Sequence, residues 1–100
     1  MAARLYDNPL MPDTNPHALD TRRRRLLFRA THRGTHENDL LIGGYVAAGI
    51  ETMTEAEVAA LEEILEYPEN DLADWLTGRL PIPEEMLSPM LQAMRAWALR

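Results

Sequence analysis

The sequence predicts an all-α protein, a compact five-helix bundle with a flexible N-terminal tail, and three observations carry that reading. Apolar residues recur at helical spacing in separate stretches, and start and stop signals punctuate those stretches at matching places. No stretch alternates apolar with polar at the period of two that a half-buried strand requires. Pro9, Pro12 and Pro16 lie amid Asn and Asp near the start, a composition that interrupts helices and offers little to bury. Residues 1–16 therefore read as a tail and 17–100 as the helical domain.

A first helix is expected over about Leu19 to Arg33. Leu19, Leu26, Leu27 and Ala30 share one face at i, i+7, i+8 and i+11, with the arginines on the other. Gly34 is expected to end it at C′, since only Gly enters the left-handed conformation there without steric cost. Thr35 is placed to cap the second helix, and Glu37 and Asp39 set negative charge at the positive end of its dipole. That helix continues through Leu40, Leu41, Ile42, Tyr45 and Val46. Within it Gly43 and Gly44 cost about 1 kcal/mol each relative to Ala, which close packing against a neighbouring helix would offset.

The third helix has the clearest start: Thr54 with Glu57 makes a capping box, and Met53 with Val58 a hydrophobic staple. Val58, Leu61, Ile64 and Leu65 form its buried stripe, and Pro68 prevents it from running much beyond Tyr67. Asn70 is read as the cap of a short fourth helix that carries Leu72, Trp75 and Leu76 at i, i+3 and i+4 and stops at Gly78. Pro83 before Glu84 and Glu85 marks a helical turn near 83–87. Ser88 and Pro89 open the last helix, which runs to about Leu99 with Met90, Leu91, Met94, Trp97 and Ala98 inward.

One hundred residues bury only about 60–65% of the unfolded surface, which leaves no room for an enclosed active-site cavity. The hydrophobic fraction of 46% and the charged fraction of 26% are those of an ordinary globular domain. The longest apolar run, Leu40 to Ile50, is too short and glycine-rich to span a bilayer, so a soluble protein without membrane insertion is expected. With no cysteine, disulfides, thiolate metal sites and a cysteine nucleophile are excluded together. No signal peptide opens the chain, and a reducing interior compartment is expected. A net charge of −6 disfavours nucleic acid as a partner. Every basic residue is Arg, most of them between Arg22 and Arg33, whereas Glu51 to Asp74 carries only acids among its charged residues. An electrically polar molecule is expected from that split.

The chemical candidates mostly reduce to structural roles. His32 and His36 are four apart, but Gly34 between them breaks the helix that would align them for zinc. His17 has no evident partner, and Ser88 caps a helix rather than acting as a nucleophile. Gly43-Gly44 lacks the third glycine and the strand of a dinucleotide loop. The carboxylates of the third helix alternate with apolar residues and face solvent, and Arg22 to Arg25 point in different directions around their helix and form no nucleic-acid stripe. No catalytic, cofactor or metal site is expected. A rival reading is a nucleic-acid-associated or antitoxin-like module, given the helix-turn-helix-like corner beside an arginine run; the acidic charge and the lack of a basic recognition helix weigh against it.

The exception is the corner Arg33-Gly34-Thr35-His36-Glu37. A residue without Cβ, flanked by a guanidinium and by a carboxylate in the next helix, offers a partner's backbone close access between opposite charges. Protein docking suits a convex helix corner better than small-molecule binding does.

At these residues the chain resembles the SdhE-type flavinylation factors, the assembly factors of succinate dehydrogenase. Their R-G-x-x-E motif followed by an acid reads Arg33-Gly34-Thr35-His36-Glu37-Asn38-Asp39, and their L-L-E, acidic turn and D-L-x-x-W-L read Ile64-Leu65-Glu66, Tyr67 to Asn70 and Asp71 to Leu76. The resemblance spans about Arg22 to Met94. It implies a five-helix bundle that is not an enzyme and binds no cofactor of its own. Such a factor binds the flavoprotein subunit of succinate dehydrogenase, and in some members that of fumarate reductase, and promotes covalent attachment of FAD to a histidine there. It further implies a docking surface of Arg33, Gly34, His36, Glu37 and Asp39, a free monomer, and a bacterial cytoplasm or mitochondrial matrix as its place.

Overall fold

A computed structural model describes residues 19–100, so the tail expected over 1–16 and His17 lie outside the described residues. Five α-helices follow in order: α1 (Thr21–Thr31), α2 (His36–Gly49), α3 (Glu55–Ile64), α4 (Glu69–Leu76) and α5 (Pro89–Ala98). Single 3₁₀ turns stand at Ile50–Thr52 and Glu84–Met86, and no strand occurs among the described residues. The fold class read from the sequence is the observed one.

Side-chain caps start four of these helices by taking up a first-turn N–H that the helix cannot satisfy itself. Asp20 accepts from Arg23, Thr35 from Asn38, Thr54 from Glu57 and Ser88 from Leu91. At Thr54 the box is complete, since the Glu57 carboxylate accepts from the Thr54 N–H at 2.9 Å. Two expectations fail. Asn70 caps nothing: α4 starts after Pro68, whose extended backbone (φ −59°, ψ 144°) turns the chain into the helix and whose carbonyl accepts from Leu72 at 3.1 Å. Gly34 does not sit at C′ of α1, because the helix stops at Thr31 and His32 is its C-cap. The last carbonyls are met by side chains before the glycine is reached: the Thr31 hydroxyl donates to Leu27 O at 2.9 Å, and His32 Nδ1–H donates to Phe28 O at 2.8 Å.

The predicted stripes meet in one core. Leu26 and Ala30 of α1, Ile42 and Val46 of α2, Val58 and Leu61 of α3, Leu72 and Leu76 of α4, and Leu91 and Met94 of α5 are all buried, and each such large side chain contributes about 1.5–3 kcal/mol relative to exposure. α1 packs on α2 and α3, and α5 closes the bundle against α2, α3 and α4. The glycine pair of α2 lies at two of these contacts. A Cβ on Gly43 would meet Thr31 Cγ2 at 2.9 Å and the Ala30 carbonyl oxygen at 3.1 Å, while one on Gly44 would meet Trp97 Cη2 at 2.6 Å. Close approach is therefore the compensation for their helix cost.

The charge split along the sequence does not survive folding. Arg22 forms a two-point pair with Glu62 (2.6 and 2.9 Å) and reaches Glu55 at 3.1 Å; Arg23 also reaches Glu55, and Arg29 reaches Glu66 at 2.6 Å. The basic face of α1 is thus laid against the acidic face of α3, which corrects the expected polar molecule. The hydrogen bond from Arg22 holds the Glu62 carboxyl below its ordinary range, and the same bond raises the guanidinium.

Gly43→Ala should lower stability by about 1 kcal/mol net, a Tm loss of roughly 4–8 °C, because its overpacking strikes backbone and outweighs the gain in helix propensity. Gly44→Ala should be milder, since the half-buried Trp97 ring can swing aside. Thermal unfolding by circular dichroism reads both, and an unchanged Tm for Gly43→Ala contradicts the close-packing account. A second prediction concerns pH. A lowered folded pKa means that the Arg22–Glu62 contribution is present above the unfolded value and lost as pH falls through the folded one. The Tm gap between wild type and Arg22→Gln should accordingly be seen near neutrality and close below the carboxylate range.

Candidate functional site

The elbow between α1 and α2 is built by three local devices. The capped end of α1 stops the chain at His32, Gly34 turns it with φ +105°, and Thr35 restarts it as a cap. A φ in that range strains any residue with a Cβ, so glycine is required for the turn itself. Apart from its two chain neighbours, nothing among the described residues comes within 4 Å of where a Gly34 Cβ would lie, and the residue is exposed. The crest of the elbow is bare backbone.

The five residues singled out from the sequence divide into two groups here. Gly34, His36 and Glu37 stand on the exposed crest. Arg33 and Asp39 turn inward and hold the elbow together. The Asp39 carboxylate accepts from the Arg33 N–H at 2.6 Å. The Arg33 guanidinium, only 9% exposed, pairs with Glu69 Oε2 at 2.5 Å. The expected picture of a glycine flanked by two outward charges is corrected to one with a single outward charge, Glu37, because burial requires the guanidinium to find a carboxylate and α4 supplies one.

Three residues that the sequence reading passed over complete the arrangement. Asn38, 1% exposed, donates through Nδ2 to the Glu69 carbonyl at 3.1 Å and to Glu69 Oε1 at 2.7 Å. Glu69 thereby receives Arg33 and Asn38 on separate oxygens. Arg79, from the α4–α5 connection, reaches Asp74 at 3.1 Å and Glu37 at 3.6 Å. Its guanidinium is raised above the usual range, first by the hydrogen bond to Asp74 and further by Glu37. A signal for Asn38 was present, since it falls in register with the buried Ile42 and Val46 as the one polar member of that stripe. For Glu69 and Arg79 no local pattern exists, as their partners lie far off in the chain.

On the outer face of α1, His32 stacks on Phe28 with ring centroids 3.9 Å apart, and Phe28 stays 62% exposed. No group of three or more His, Asp or Glu side chains is positioned to hold a metal among the described residues. No helix is long and apolar enough to cross a membrane there. Of the arginines that would serve a nucleic-acid surface, Arg22 and Arg23 are engaged by carboxylates of α3 and Arg24 by the Leu19 carbonyl.

Arg33→Ala should destabilise by about 1–3 kcal/mol, since it strands a hydrogen-bonded carboxylate and opens the floor of the elbow. His36→Ala and Glu37→Ala, on the crest, should leave the unfolding free energy within about 0.5 kcal/mol of wild type. Chemical denaturation of the three variants checks this division, and equal losses would contradict it.

The family model described as "Flavinator of succinate dehydrogenase" matches residues 24–98. The chain is 59% identical over 76 residues to the FAD assembly factor SdhE of Acetobacter pasteurianus, covering 76% of this chain and 70% of that protein. It is 30% identical over 73 residues to succinate dehydrogenase assembly factor 2, mitochondrial, of Dictyostelium discoideum, and 34% over 70 residues to the protein so named in Caenorhabditis briggsae. These two matches cover 73% and 68% of the chain but only 52% and 57% of the mitochondrial relatives, little more than half their length. The matched region contains every helix but the first turn of α1, together with the whole elbow and its supports. The chain belongs to the family of succinate dehydrogenase flavinators.

Proposed function

We propose that this chain is an assembly factor rather than an enzyme, docking through the α1–α2 elbow onto the flavoprotein subunit of succinate dehydrogenase and promoting covalent attachment of FAD to a histidine there. The observation that carries the reading is the crest: Gly34 has open space where a side chain would stand, and the Glu37 carboxylate lies exposed beside it. A backbone without Cβ lets a large partner approach closely, and a nearby charge fixes its register. The names of the relatives supply the class of partner. The flavoprotein of fumarate reductase, with the same chemistry, is a second client on this reading. The factor works as a monomer wherever the newly made flavoprotein is found, in a bacterial cytoplasm or a mitochondrial matrix.

FAD on this reading belongs to the partner, and the chain holds none. It promotes the reaction by binding one arrangement of the flavoprotein more tightly than others, and the shift it can produce is limited to that difference in affinity, about 1.4 kcal/mol per tenfold. Alignment of a histidine with the flavin can be worth far more than that in rate.

Gly34 offers a controlled test. Gly34→Ala and Gly34→Arg both incur the backbone strain of a positive φ, about 1–2 kcal/mol, but only Arg fills the approach path. Gly34→Arg should abolish co-purification with the flavoprotein, while Gly34→Ala keeps a measurable part of it; retained binding by Gly34→Arg rules out the elbow as the contact. Glu37→Ala should leave the flavoprotein present but about tenfold poorer in covalent flavin, the scale of a binding hot spot. In-gel flavin fluorescence reads this, and undiminished fluorescence removes Glu37 from the surface.

A further inference from the structure

Beside the crest, between the first turns of α2 and α4, lies a cleft of about 320 Å³. Thr35, Glu37, Asn38, Glu69, Asn70, Asp74 and Arg79 supply its polar walls. Even with Glu69 committed to Arg33, two carboxylates, Glu37 and Asp74, face the single guanidinium of Arg79. That guanidinium is 55% exposed and is held by pairs of 3.1 and 3.6 Å, and exposed pairs of this kind exchange readily. A second observation is independent of charge. Asn38 spends its amide donor group on Glu69, and its buried Oδ1 has no hydrogen-bond donor among the described residues. The cleft thus carries more carboxylates than cations and one buried acceptor without a donor.

We propose that this cleft receives an arginine or lysine side chain of the flavoprotein, which displaces Arg79 from Glu37 and pairs with Glu37 and Asp74. Both side chains are donors only, so they match a wall of acceptors without setting lone pairs against it, as a hydroxyl or amide would. An anion is opposed by the charge. Reach is no obstacle, because Thr35 and Glu37 line the cleft and Gly34 adjoins them, so a partner seated on the glycine has the opening next to it. The proposal rests on the elbow as the docking surface and adds the chemistry of the group that anchors beside it.

Ala73, half-buried in the middle of α4, also lines the cleft and permits a charge test with two long side chains of opposite sign. Arg and Glu are both good helix formers. Calorimetric titration with the purified flavoprotein should show Ala73→Arg weakened by about tenfold or more, through a guanidinium set against a like charge, and Ala73→Glu within about twofold of wild type. Equal loss in both would mean that the cleft is covered by something other than a cation, and loss in neither would mean that it is not covered; each overturns the proposal. Normal binding by both Ala73 variants, with Gly34→Arg inactive, removes the cleft but leaves the elbow; normal binding by all three removes both. Should the Ala73 variants misfold, Asp74→Asn should weaken binding with a shallower salt dependence and Asp74→Glu restore it. Unchanged affinity and salt dependence in Asp74→Asn overturns the proposal equally.

Discussion

Glu69 ties together two parts of the chain that are 31 residues apart, and the shape of the elbow depends on it. One carboxylate oxygen takes the Arg33 guanidinium, the other takes the Asn38 amide, and its own carbonyl takes Asn38 again. Such hydrogen bonds to charged groups contribute about 1.5–3 kcal/mol each where water is partly excluded. Their more specific effect is geometric. With Arg33 drawn inward before the turn and Asn38 held after it, the intervening Gly34, Thr35, His36 and Glu37 have nowhere to go but out. The exposed crest is a consequence of what is buried beneath it.

That arrangement in turn requires α1 and α2 to meet closely, which is the role of Gly43. A side chain there would press on the backbone at Ala30 and Thr31 and wedge apart the two helices whose junction is the elbow. A single missing Cβ halfway along α2 thus sets the angle from which the crest is presented. Pre-formed surfaces of this kind bind without the ordering cost that a flexible loop would incur. The small core of the bundle is sufficient because it supports one short surface rather than an enclosed cavity.

What was legible in the sequence follows from the range of each interaction. The capping box at Thr54 and Glu57, the stripe of Val58, Leu61 and Ile64, and the start at Ser88-Pro89 are decided within a turn or two, and the structure has them where the residues placed them. The helix cost of Gly43 and Gly44 correctly implied a close neighbour, though not which one. Arg33 was misjudged because nothing near it in sequence discloses a carboxylate on α4; an arginine at a helix end is solvated unless a distant partner is brought to it. The same ignorance of long-range pairing made the α1 arginines and the α3 acids look like a dipole, when packing sets them against each other. Asn70 failed for a different reason: it is a good capping residue, but Pro68 two positions earlier already fixes the extended entry into the helix.

An assembly factor must release its client, and the distribution of charge suits that requirement. The groups that hold the elbow, Arg33 and Asn38, are buried and tied to Glu69. Those left for a partner, Glu37 and the Asp74–Arg79 pair, are half-exposed and already weakly engaged with one another. A partner that takes them exchanges one set of screened ion pairs for another, which gains orientation and selectivity more than raw affinity. On the proposed reading tight binding would be counterproductive, because the factor would lower the cost of one arrangement of the flavoprotein only while it is bound. On that reading the glycine-bared crest would supply the fit, and the loosely held charges around it would keep the complex reversible.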